Sequence, residues 1–348
     1  MTAVANAAEQ FQLKGAICSV APFGLGHIHD TYRVDTDQAS YLLQRINADI
    51  FKRWRLIFFN FSRLGPLIEQ SLIVPLTKAD TGALYFHDYT GVWRMQHFAQ
   101  DTWSPQKITD EAIAVEVAHG FGRFNRACAQ LNPDDFHEVI SDFHDLPIRL
   151  VQLDEARHNA QPVRLKQAAE LLEQSQEFRW LATGMSDLWR QGLPVRVCHN
   201  DTKANNVLLS NATNQFCHVV DLDTVGPGTP IYDFGDMMRT MLSPTTESEA
   251  DEERISLRVN MFQAITKAYL AACGDQLSIL EKQSLVFGGM YMTYLMGVRF
   301  LADFLNGDVY YKVSFEGENL IRARNQFVML KEIFNLRTQL EEIVRCYE

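Results

Sequence analysis

The segment from His199 to Asn206 contains the side chains best suited to chemistry in this sequence. His199, Asp201 and Asn206 follow the pattern His-x-Asp-x-x-x-x-Asn, in which one loop holds a carboxylate and an amide. A carboxylate beside an attacking hydroxyl can accept its proton, and an amide oxygen can reach a metal ion on the phosphates of a nucleotide. The spacing therefore predicts a loop for phosphoryl transfer, with Asp201 as the base.

The residues after this loop supply a second metal ligand. Residues 207–209 and 217–220 are predicted strands of a hairpin, and Asp221 lies at the end of the second strand, where kinases hold a metal. Asn206 and Asp221 offer hard oxygen atoms that suit Mg²⁺, so the predicted cofactors are ATP and Mg²⁺. A polar turn between a helix and a hairpin is the alternative, but the order of motif, strands and aspartate favours the functional interpretation.

Further residues are expected to contact the phosphates of the nucleotide. Lys203 lies two positions after Asp201, where protein kinases have a lysine that meets the γ-phosphate; the alternative is a lysine facing solvent. Gly24 and Gly26, with the adjacent His27, lie between the first two predicted strands. Glycine lets the backbone approach phosphate oxygens closely, although it also serves in any hairpin turn.

A positively charged side chain on a strand is also expected to contact the nucleotide, and Arg45 on the third predicted strand is the candidate. It is the expected counterpart of the kinase strand lysine that holds the α- and β-phosphates; the alternative is a surface arginine on an edge strand. Gln44 would face the other side, because side chains alternate along a strand. Glu69 is the candidate for the helix glutamate that pairs with Arg45.

Composition restricts the class of partner. The chain has 348 residues and a formal net charge of −11, without the basic stripe that nucleic-acid binding would require. Six cysteines form no Cys-x-x-Cys pair and the N-terminus shows no secretory signal, so we expect reduced thiols and a cytoplasmic location. The longest apolar stretch, 285–298, is too short for a bilayer and predicts a buried helix. We therefore expect a small-molecule substrate and neither nucleic acid nor membrane as a partner.

The elements that must position these residues fall into two lobes. Residues 1–101 are predicted to form a nucleotide-binding lobe, a small antiparallel sheet with one helix at 51–70. Its predicted strands are 15–20, 31–34, 41–46, 72–76, 83–87 and 92–98. Residues 102–348 are predicted to form a mainly helical lobe for catalysis and substrate binding. Its predicted helices are 108–131, 152–174, 256–272, 282–305 and 318–345. This is the layout of an α+β, protein-kinase-like bilobal fold, in which the acidic segment 245–253 is expected to be a solvated loop outside the site.

Several segments resemble the superfamily of aminoglycoside phosphotransferases, choline kinases and homoserine kinases. The sequences His-Asn-Asp-Thr-Lys at 199–203, Asp-Leu-Asp-Thr-Val at 221–225 and Tyr-Asp-Phe-Gly-Asp at 232–236 are most similar to N-acetylhexosamine 1-kinases. The segments 24–31, 41–47 and 297–301, with Gly307 and Asp308, fit the same family, so the resemblance spans most of the chain. His29 departs from it, because asparagine is expected there.

The tripeptide Asp233-Phe234-Gly235 matches the metal-binding tripeptide of protein kinases. It follows no predicted strand, and a Pro-Gly-Thr-Pro turn precedes it, so it is expected to begin a helix instead. The resemblance implies that Asp233 braces the catalytic loop, and we assign Asp233 and His199 structural roles. Asp221 remains the predicted metal ligand.

The resemblance also implies that the second lobe contacts the acceptor substrate. The candidate residues are Asp223, Thr224, Arg299, Asp303, Tyr310 and Tyr311. Arg299 and Asp303 lie four positions apart on one helix face, so an exposed ion pair between them is the alternative.

The favoured function is phosphorylation of the anomeric hydroxyl of an N-acetylhexosamine. A choline, amino-alcohol or aminoglycoside kinase is the second candidate, against which Arg299 argues because those acceptors are cations. A catalytically inactive kinase-like binding module is the third. It would have lost Asp201, Asn206 or Asp221, and all three are present.

Overall fold

An antiparallel sheet forms the N-terminal part of the computed structural model, which describes residues 3–24 and 28–347. Its strands are β1 Ile17–Pro22, β2 Asp30–Thr36, β3 Ser40–Ile46, β4 Leu76–Thr77, β5 Phe86–Asp88 and β6 Gly91–His97. They run in the order β1-β2-β3-β6-β4, and β5 pairs with the first half of β6. The register places Thr31, Gln44 and Arg94 side by side on three neighbouring strands. These polar side chains therefore share one face of the sheet.

The two faces of the sheet pack against different helices. Helix α1 (Ala3–Ala8) covers one face, and helix α2 (Arg55–Phe61) packs against the other, where Ile46 is buried. Because side chains two positions apart on a strand share a face, Gln44 lies on the α2 side and Arg45 on the α1 side. The prediction that these two side chains face opposite sides of the sheet is confirmed, so each has different neighbours.

The prediction of one helix over 51–70 was wrong. The structure has two short helices, α2 and then α3 (Gly65–Glu69), because Pro66 lacks an N–H and is tolerated only in the first turn of a new helix. The predicted strand at 72–76 is also largely absent. Only its last residue enters β4, and Ile73 instead forms an isolated parallel bridge with Val219.

The rest of the chain is mainly helical, as predicted. Its helices are α4 Glu111–Cys128, α5 Leu146–Asn159, α6 Pro162–Glu177, α7 Trp180–Arg190, α8 Pro230–Met241, α9 Val259–Cys273, α10 Ile279–Gln283, α11 Leu285–Leu305, α12 Glu318–Asn335 and α13 Arg337–Arg345. The predicted helix at 152–174 is divided at Pro162, which begins α6 for the same reason as Pro66. Helix α7 was not predicted.

Short strands flank the loop that carries the catalytic motif. They are β7 Thr102–Trp103, β8 Arg196–Cys198, β9 Val207–Ser210, β10 Phe216–Val219 and β11 Gly226–Gly228. The predicted hairpin is formed by β9 and β10, with β7 on the outer side of β9, and β8 pairs with β11. The loop between β8 and β9 is therefore held by strands at both ends.

Helix α11 is the central helix of this lobe. By length and composition this 21-residue helix could cross a membrane, since an 18-residue window in it has a mean hydropathy of 1.3, but 83% of that window is buried inside the protein. The helix is longer than the apolar stretch at 285–298, and its burial confirms the prediction of a core helix. Helix α8 packs directly on it, with Gly235 against the backbone of Gly288.

We expect Gly235→Ala to destabilise the protein by about 1–3 kcal/mol, the usual cost of forcing a methyl group into a packed core. The new methyl would overlap the carbonyl oxygen of Gly288, and backbone cannot move aside as a flexible side chain can. Chemical denaturation at an unchanged m-value measures the loss. Gly65→Ala is the matched control, because a methyl group there meets no atom within 4 Å; equal effects in the two variants would contradict this account.

Candidate active site

Asp233 holds the catalytic loop through the loop's backbone. Its carboxylate accepts hydrogen bonds from the backbone N–H of His199 at 3.1 Å and of Asn200 at 2.8 Å. Its own carbonyl oxygen accepts a hydrogen bond from the Thr202 hydroxyl. Burial raises the pKa of Asp233 to about 7, although both backbone hydrogen bonds oppose that rise. Asp233 lies in the first turn of α8, but it binds this loop instead of capping its own helix.

His199 is completely buried beneath the same loop. Its Nε2–H donates to the carbonyl oxygen of Val220 at 3.0 Å, and its Nδ1 accepts the backbone N–H of Asp201 at 3.3 Å. The edges of Phe121 and Phe124 enclose the ring, and burial lowers its pKa. His199 is therefore a neutral link between the catalytic loop and the end of β10.

Asp201 is the carboxylate of the loop that is available for proton transfer. Lys203 Nζ lies 3.1 Å and Asn206 Nδ2 lies 3.2 Å from its Oδ2. Burial would raise the pKa of Asp201, but Lys203 and then His199 outweigh it and lower the pKa below its usual value. The carboxylate is thus ionised at neutral pH and oriented by two donors. Burial likewise opposes the charge of Lys203, whose pKa is nevertheless raised by Asp201 and Asp221.

Asn206 and Asp221 present oxygen atoms suited to a metal ion. The Asn206 amide donates to the backbone oxygen of Asp201 at 2.8 Å, which leaves the Asn206 amide oxygen free of partners among the described residues. Asp221 has the left-handed backbone angle φ 60°, and its carboxylate accepts no hydrogen bond from any described residue. Burial, and next the charges of Asp223 and Asp201, raise its pKa to about 6. A divalent cation would neutralise this concentration of negative charge, so the donor set fits Mg²⁺.

Asp223 borders the central cavity described below, but its carboxylate is already bound. Arg94 forms a forked ion pair with both of its oxygens, one of them at 3.0 Å, and His29 Nε2 lies 2.6 Å from Oδ2. Burial would raise the pKa of Asp223, but Arg94 and His29 hold it well below the usual range. Both oxygens of Asp223 are therefore bound by side chains of the protein, and its contact with the acceptor remains a prediction. Neighbouring Thr224 does line the cavity, while its hydroxyl donates to the His199 carbonyl at 2.8 Å.

The structure does not bring Arg45 together with the other predicted residues. Its side chain is half exposed and lies 3.8 Å from Asp30, on the α1 side of the sheet. Glu69 is exposed at the end of α3 and forms no ion pair with Arg45. The buried pair of a strand cation and a carboxylate is present instead as Arg94 and Asp223. A signal was available in the sequence, because Arg94 interrupts the apolar residues of β6.

The glycine-containing turn lies between β1 and β2, as predicted. Gly24 has φ 77°, a conformation that favours glycine, and a side chain there would meet no atom within 4 Å. Gly26 and His27 lie outside the described residues, so their predicted contacts with nucleotide remain predictions. Just before this turn, the backbone N–H of Phe23 donates to the carbonyl oxygen of Thr31 at 2.9 Å, which continues the pairing of β1 with β2.

A central cavity of about 710 Å³ opens beside the catalytic loop. Its lining includes Asp201, Lys203, Asp221, Thr224, Asp236, Arg239, Arg299, Tyr310 and Tyr311. The guanidinium of Arg299 lies 5.2 Å from the ring of Phe143 and 5.6 and 5.5 Å from those of Tyr310 and Tyr311. It pairs with no carboxylate among the residues that the structure describes. Arg299, Tyr310 and Tyr311 therefore line the cavity together, as the sequence analysis expected of substrate residues.

Asp303 does not join them, although a substrate contact was predicted for it. It is buried, and its carboxylate accepts the backbone N–H groups of Val309, Tyr310 and Tyr311 at 2.8–3.0 Å. Asn319 donates to it as well, at 2.9 Å. Asp303 therefore supports the backbone that carries the two tyrosines, and the suggested ion pair with Arg299 is absent.

A further charged group, not predicted from the sequence, also lines the cavity. Arg239 Nε donates to Asp236 Oδ1 at 2.6 Å, and Arg239 also pairs with Glu247. Asp236 is buried, and its second oxygen accepts no hydrogen bond from any described residue. The segment 245–253 was expected to be a solvated loop outside the site, but Thr245 and Glu247 line the cavity. The Asp-x-x-Arg spacing at 236–239, which places both residues on one helix face, was the available signal.

We expect Asp233→Ala to lower stability before it affects metal binding. The change leaves the backbone N–H groups of His199 and Asn200 buried without acceptors, at a cost of about 1–3 kcal/mol for each group. Chemical denaturation should show this loss, and calorimetry with Mg²⁺ and nucleotide should show retained binding in the folded fraction. A stable Asp233→Ala protein that had lost metal binding would exchange the roles assigned to Asp233 and Asp221.

Residues 19–265 match the family model APH, described as a phosphotransferase enzyme family. The structure is similar to that of an aminoglycoside phosphotransferase from Alicyclobacillus acidocaldarius, with a TM-score of 0.65 and 12% identity over 97% of this chain and 96% of that chain. It is also similar to a choline kinase from Streptococcus pneumoniae, with a TM-score of 0.56 and 12% identity over 90% and 94% of the two chains.

A third similar structure is an amicoumacin kinase in complex with AMP-PNP and Ca²⁺, with a TM-score of 0.58 and 12% identity over 94% of this chain and 92% of that chain. These likenesses confirm the predicted α+β, kinase-like fold, with a sheet lobe and a helical lobe. The boundary between residues 101 and 102 remains a prediction. Because the family match covers more than half of the sequence, this chain belongs to the phosphotransferase enzyme family APH.

Proposed function

We propose that this protein transfers the γ-phosphoryl group of ATP to the anomeric hydroxyl of an N-acetylhexosamine and forms the sugar 1-phosphate. The observation that carries the choice of acceptor is Arg299, a cation without a carboxylate partner among the described residues, on the wall of the central cavity. Its forked N–H donors suit a carbonyl or ring oxygen. A cationic acceptor would be repelled from the same position.

The catalytic loop supports phosphoryl transfer to a hydroxyl. Asp201 lines the cavity as an ionised carboxylate, so it can orient the acceptor hydroxyl and accept its proton. Lys203 lies beside it as a charged donor for the γ-phosphate. Bound to Asn206 and Asp221, Mg²⁺ would neutralise charge on the phosphates. An amicoumacin kinase of the same fold binds AMP-PNP with a divalent cation, which supports ATP and Mg²⁺ here.

The remaining polar atoms of the cavity suit a sugar. The tyrosine rings beside Arg299 offer flat apolar surfaces with polar tips, as pyranose rings require. The unpartnered oxygen of Asp236 can accept a hydrogen bond from a sugar hydroxyl or an amide N–H. Asp236 and Glu247 are negative, as a site for choline or an aminoglycoside would need, but Arg239 pairs with both and neutralises much of their charge.

The proposal is tested by incubating the protein with ATP, Mg²⁺ and a panel of acceptors while ADP release is followed. We expect turnover with N-acetylglucosamine or N-acetylgalactosamine, and phosphate on the anomeric oxygen of the product. Unacetylated hexosamines should react poorly, because the polar groups that bind the acetamide would then lie buried without partners. Phosphate at the 6-position, or preference for choline or an aminoglycoside over every hexose, would refute the sugar assignment and leave the kinase assignment intact.

Replacement of Arg299 by alanine tests the residue that carries the proposal. Loss of a charge-assisted hydrogen bond costs about 1.5–3 kcal/mol, so we expect the KM for the sugar to rise by roughly tenfold to a hundredfold. The KM for ATP should change little. Arg190→Ala is the matched control, because Arg190 is an exposed arginine that pairs with Asp187 on the surface. A rise confined to the KM for ATP would remove Arg299 from the acceptor site.

A further inference from the structure

The buried cluster around Asp223 joins parts of the chain that lie far apart in sequence. Arg94 comes from β6 of the sheet, and its Nε donates to Gln44 on β3 at 2.8 Å while its two other nitrogens bind Asp223. Gln44 in turn donates to Thr31 on β2 at 3.0 Å. One chain of hydrogen bonds therefore runs across three strands and ends on a carboxylate of the helical lobe.

His29 is the third member of the cluster, and its hydrogen bonds define which ring nitrogen carries the proton. Its Nδ1 accepts the backbone N–H of Asn47 at 3.1 Å, so the proton lies on Nε2 and is donated to Asp223. The ring is then neutral, and the cluster contains one cation, Arg94, and one anion. The side chains of His29, Arg94 and Asp223 are only 8%, 7% and 1% exposed, so water cannot replace these bonds.

The position of Asp223 makes this cluster relevant to the reaction. It lies two residues after Asp221, in the short turn Leu222–Thr224 that follows the left-handed backbone at Asp221. His29 lies at the end of the turn that contains Gly24, immediately before β2. The cluster therefore connects the end of the predicted nucleotide turn, strands β2, β3 and β6, and the segment that carries the predicted metal ligand.

We propose that Arg94 and His29 are positioning residues for phosphoryl transfer, which hold the metal ligand Asp221 in register with the nucleotide turn through Asp223. The proposal depends on the phosphoryl transfer proposed above but not on the identity of the acceptor. It also gives a role to the histidine at position 29, where the resemblance predicted asparagine. The imidazole ring accepts the backbone N–H of Asn47 at Nδ1 and donates to the carboxylate of Asp223 from Nε2.

A double-mutant cycle with Arg94→Gln and Asp223→Asn separates positioning from support of the fold. Each single variant leaves one buried charge unpaired and should unfold at lower denaturant concentration. The double variant has no charge left and should recover much of that stability. We expect kcat/KM in the double variant to stay about a hundredfold below wild type, the scale of an active-site misplacement of about 1 Å. The Mg²⁺ concentration that gives half-maximal nucleotide affinity should also rise.

The ion pair of the partly buried Arg196 with the fully buried Glu281 is the control, since neither residue lines the central cavity. Arg196→Gln with Glu281→Gln should repeat the stability pattern and leave kcat/KM unchanged. His29→Gln, whose amide can both donate and accept, should retain more activity than His29→Ala. Nucleotide affinity measured by calorimetry needs no acceptor, so failure of wild type to bind nucleotide would refute the proposed kinase function itself. Recovery of full activity together with stability in the Arg94→Gln, Asp223→Asn variant would overturn the positioning role.

Discussion

Replacing Asp201 by asparagine is expected to lower kcat by roughly a hundredfold or more, the usual scale for loss of a general base. Asparagine keeps the size of the side chain but cannot accept the proton of the acceptor hydroxyl. The transition state of phosphoryl transfer is loose, so the carboxylate mainly orients the hydroxyl, and the effect falls on kcat. Lys203 and Asn206, which lie within 3.2 Å of the Asp201 carboxylate, remain in place.

Steady-state ADP release and calorimetric titration with nucleotide measure the two expected results of Asp201→Asn. Nucleotide affinity should be nearly unchanged, because Asp201 faces the acceptor side of the transferred phosphoryl group in the proposed function. Asp187→Asn is the matched control, since Asp187 lies in an exposed surface pair with Arg190. Near-normal turnover in Asp201→Asn would exclude Asp201 from the mechanism.

The catalytic loop could be predicted from sequence because its geometry is local. His199, Asp201 and Asn206 lie within one short loop between two strands, so their spacing alone limits how far apart their side chains can be. The structure brings Asp201 and Asn206 into contact, and Asp221 lines the same cavity. Residues held by one loop or one hairpin are the part of a site that a sequence pattern describes well.

The partners of Asp223 could not be predicted in this way. Arg94 is 129 positions and His29 is 194 positions from Asp223, and no periodic pattern relates them. Asp223 was assigned to the acceptor because it follows the metal ligand, but burial without donors would be costly for a carboxylate. Arg94 of β6 and His29, just before β2, supply those donors. Asp303 was misassigned for a similar reason, since the spacing from Arg299 gave no sign of the backbone that folds over it.

The fold was predicted more completely than the boundaries of its elements. Apolar periodicity indicated most helices and the hairpin, because each pattern reports burial on one face. The predicted helices at 51–70 and 152–174 were too long, since apolar periodicity continued across Pro66 and Pro162 while the backbone could not. The predicted helix at 318–345 is also divided, at Leu336 between α12 and α13. The segment 245–253 has a polar composition typical of a loop, and only tertiary packing against Arg239 shows that it borders the cavity.

Asp221→Ala is expected to abolish activity, with a loss of about a thousandfold or more. A divalent ion contributes several kcal/mol of charge stabilisation in the transition state, and each 1.4 kcal/mol corresponds to a factor of ten in rate. Asp221 is the carboxylate in this site without a hydrogen-bond donor among the described residues, so its oxygen atoms are available to the ion. Asn206 is neutral, so it cannot supply the negative charge that Asp221 provides.

The role of the metal is tested on wild type and on the variant together. A chelator should remove wild-type activity, and Mg²⁺ or Mn²⁺ should restore it, whereas neither ion should restore Asp221→Ala. Asp221→Ala should also remain folded, because its carboxylate bonds to no described residue and its pKa is raised to about 6 by burial and by neighbouring carboxylates. Loss of one of these crowded negative charges relieves repulsion in the absence of metal. Wild-type turnover in the presence of excess chelator, or normal Mg²⁺-dependent turnover by Asp221→Ala, would show that Asp221 is not the metal ligand.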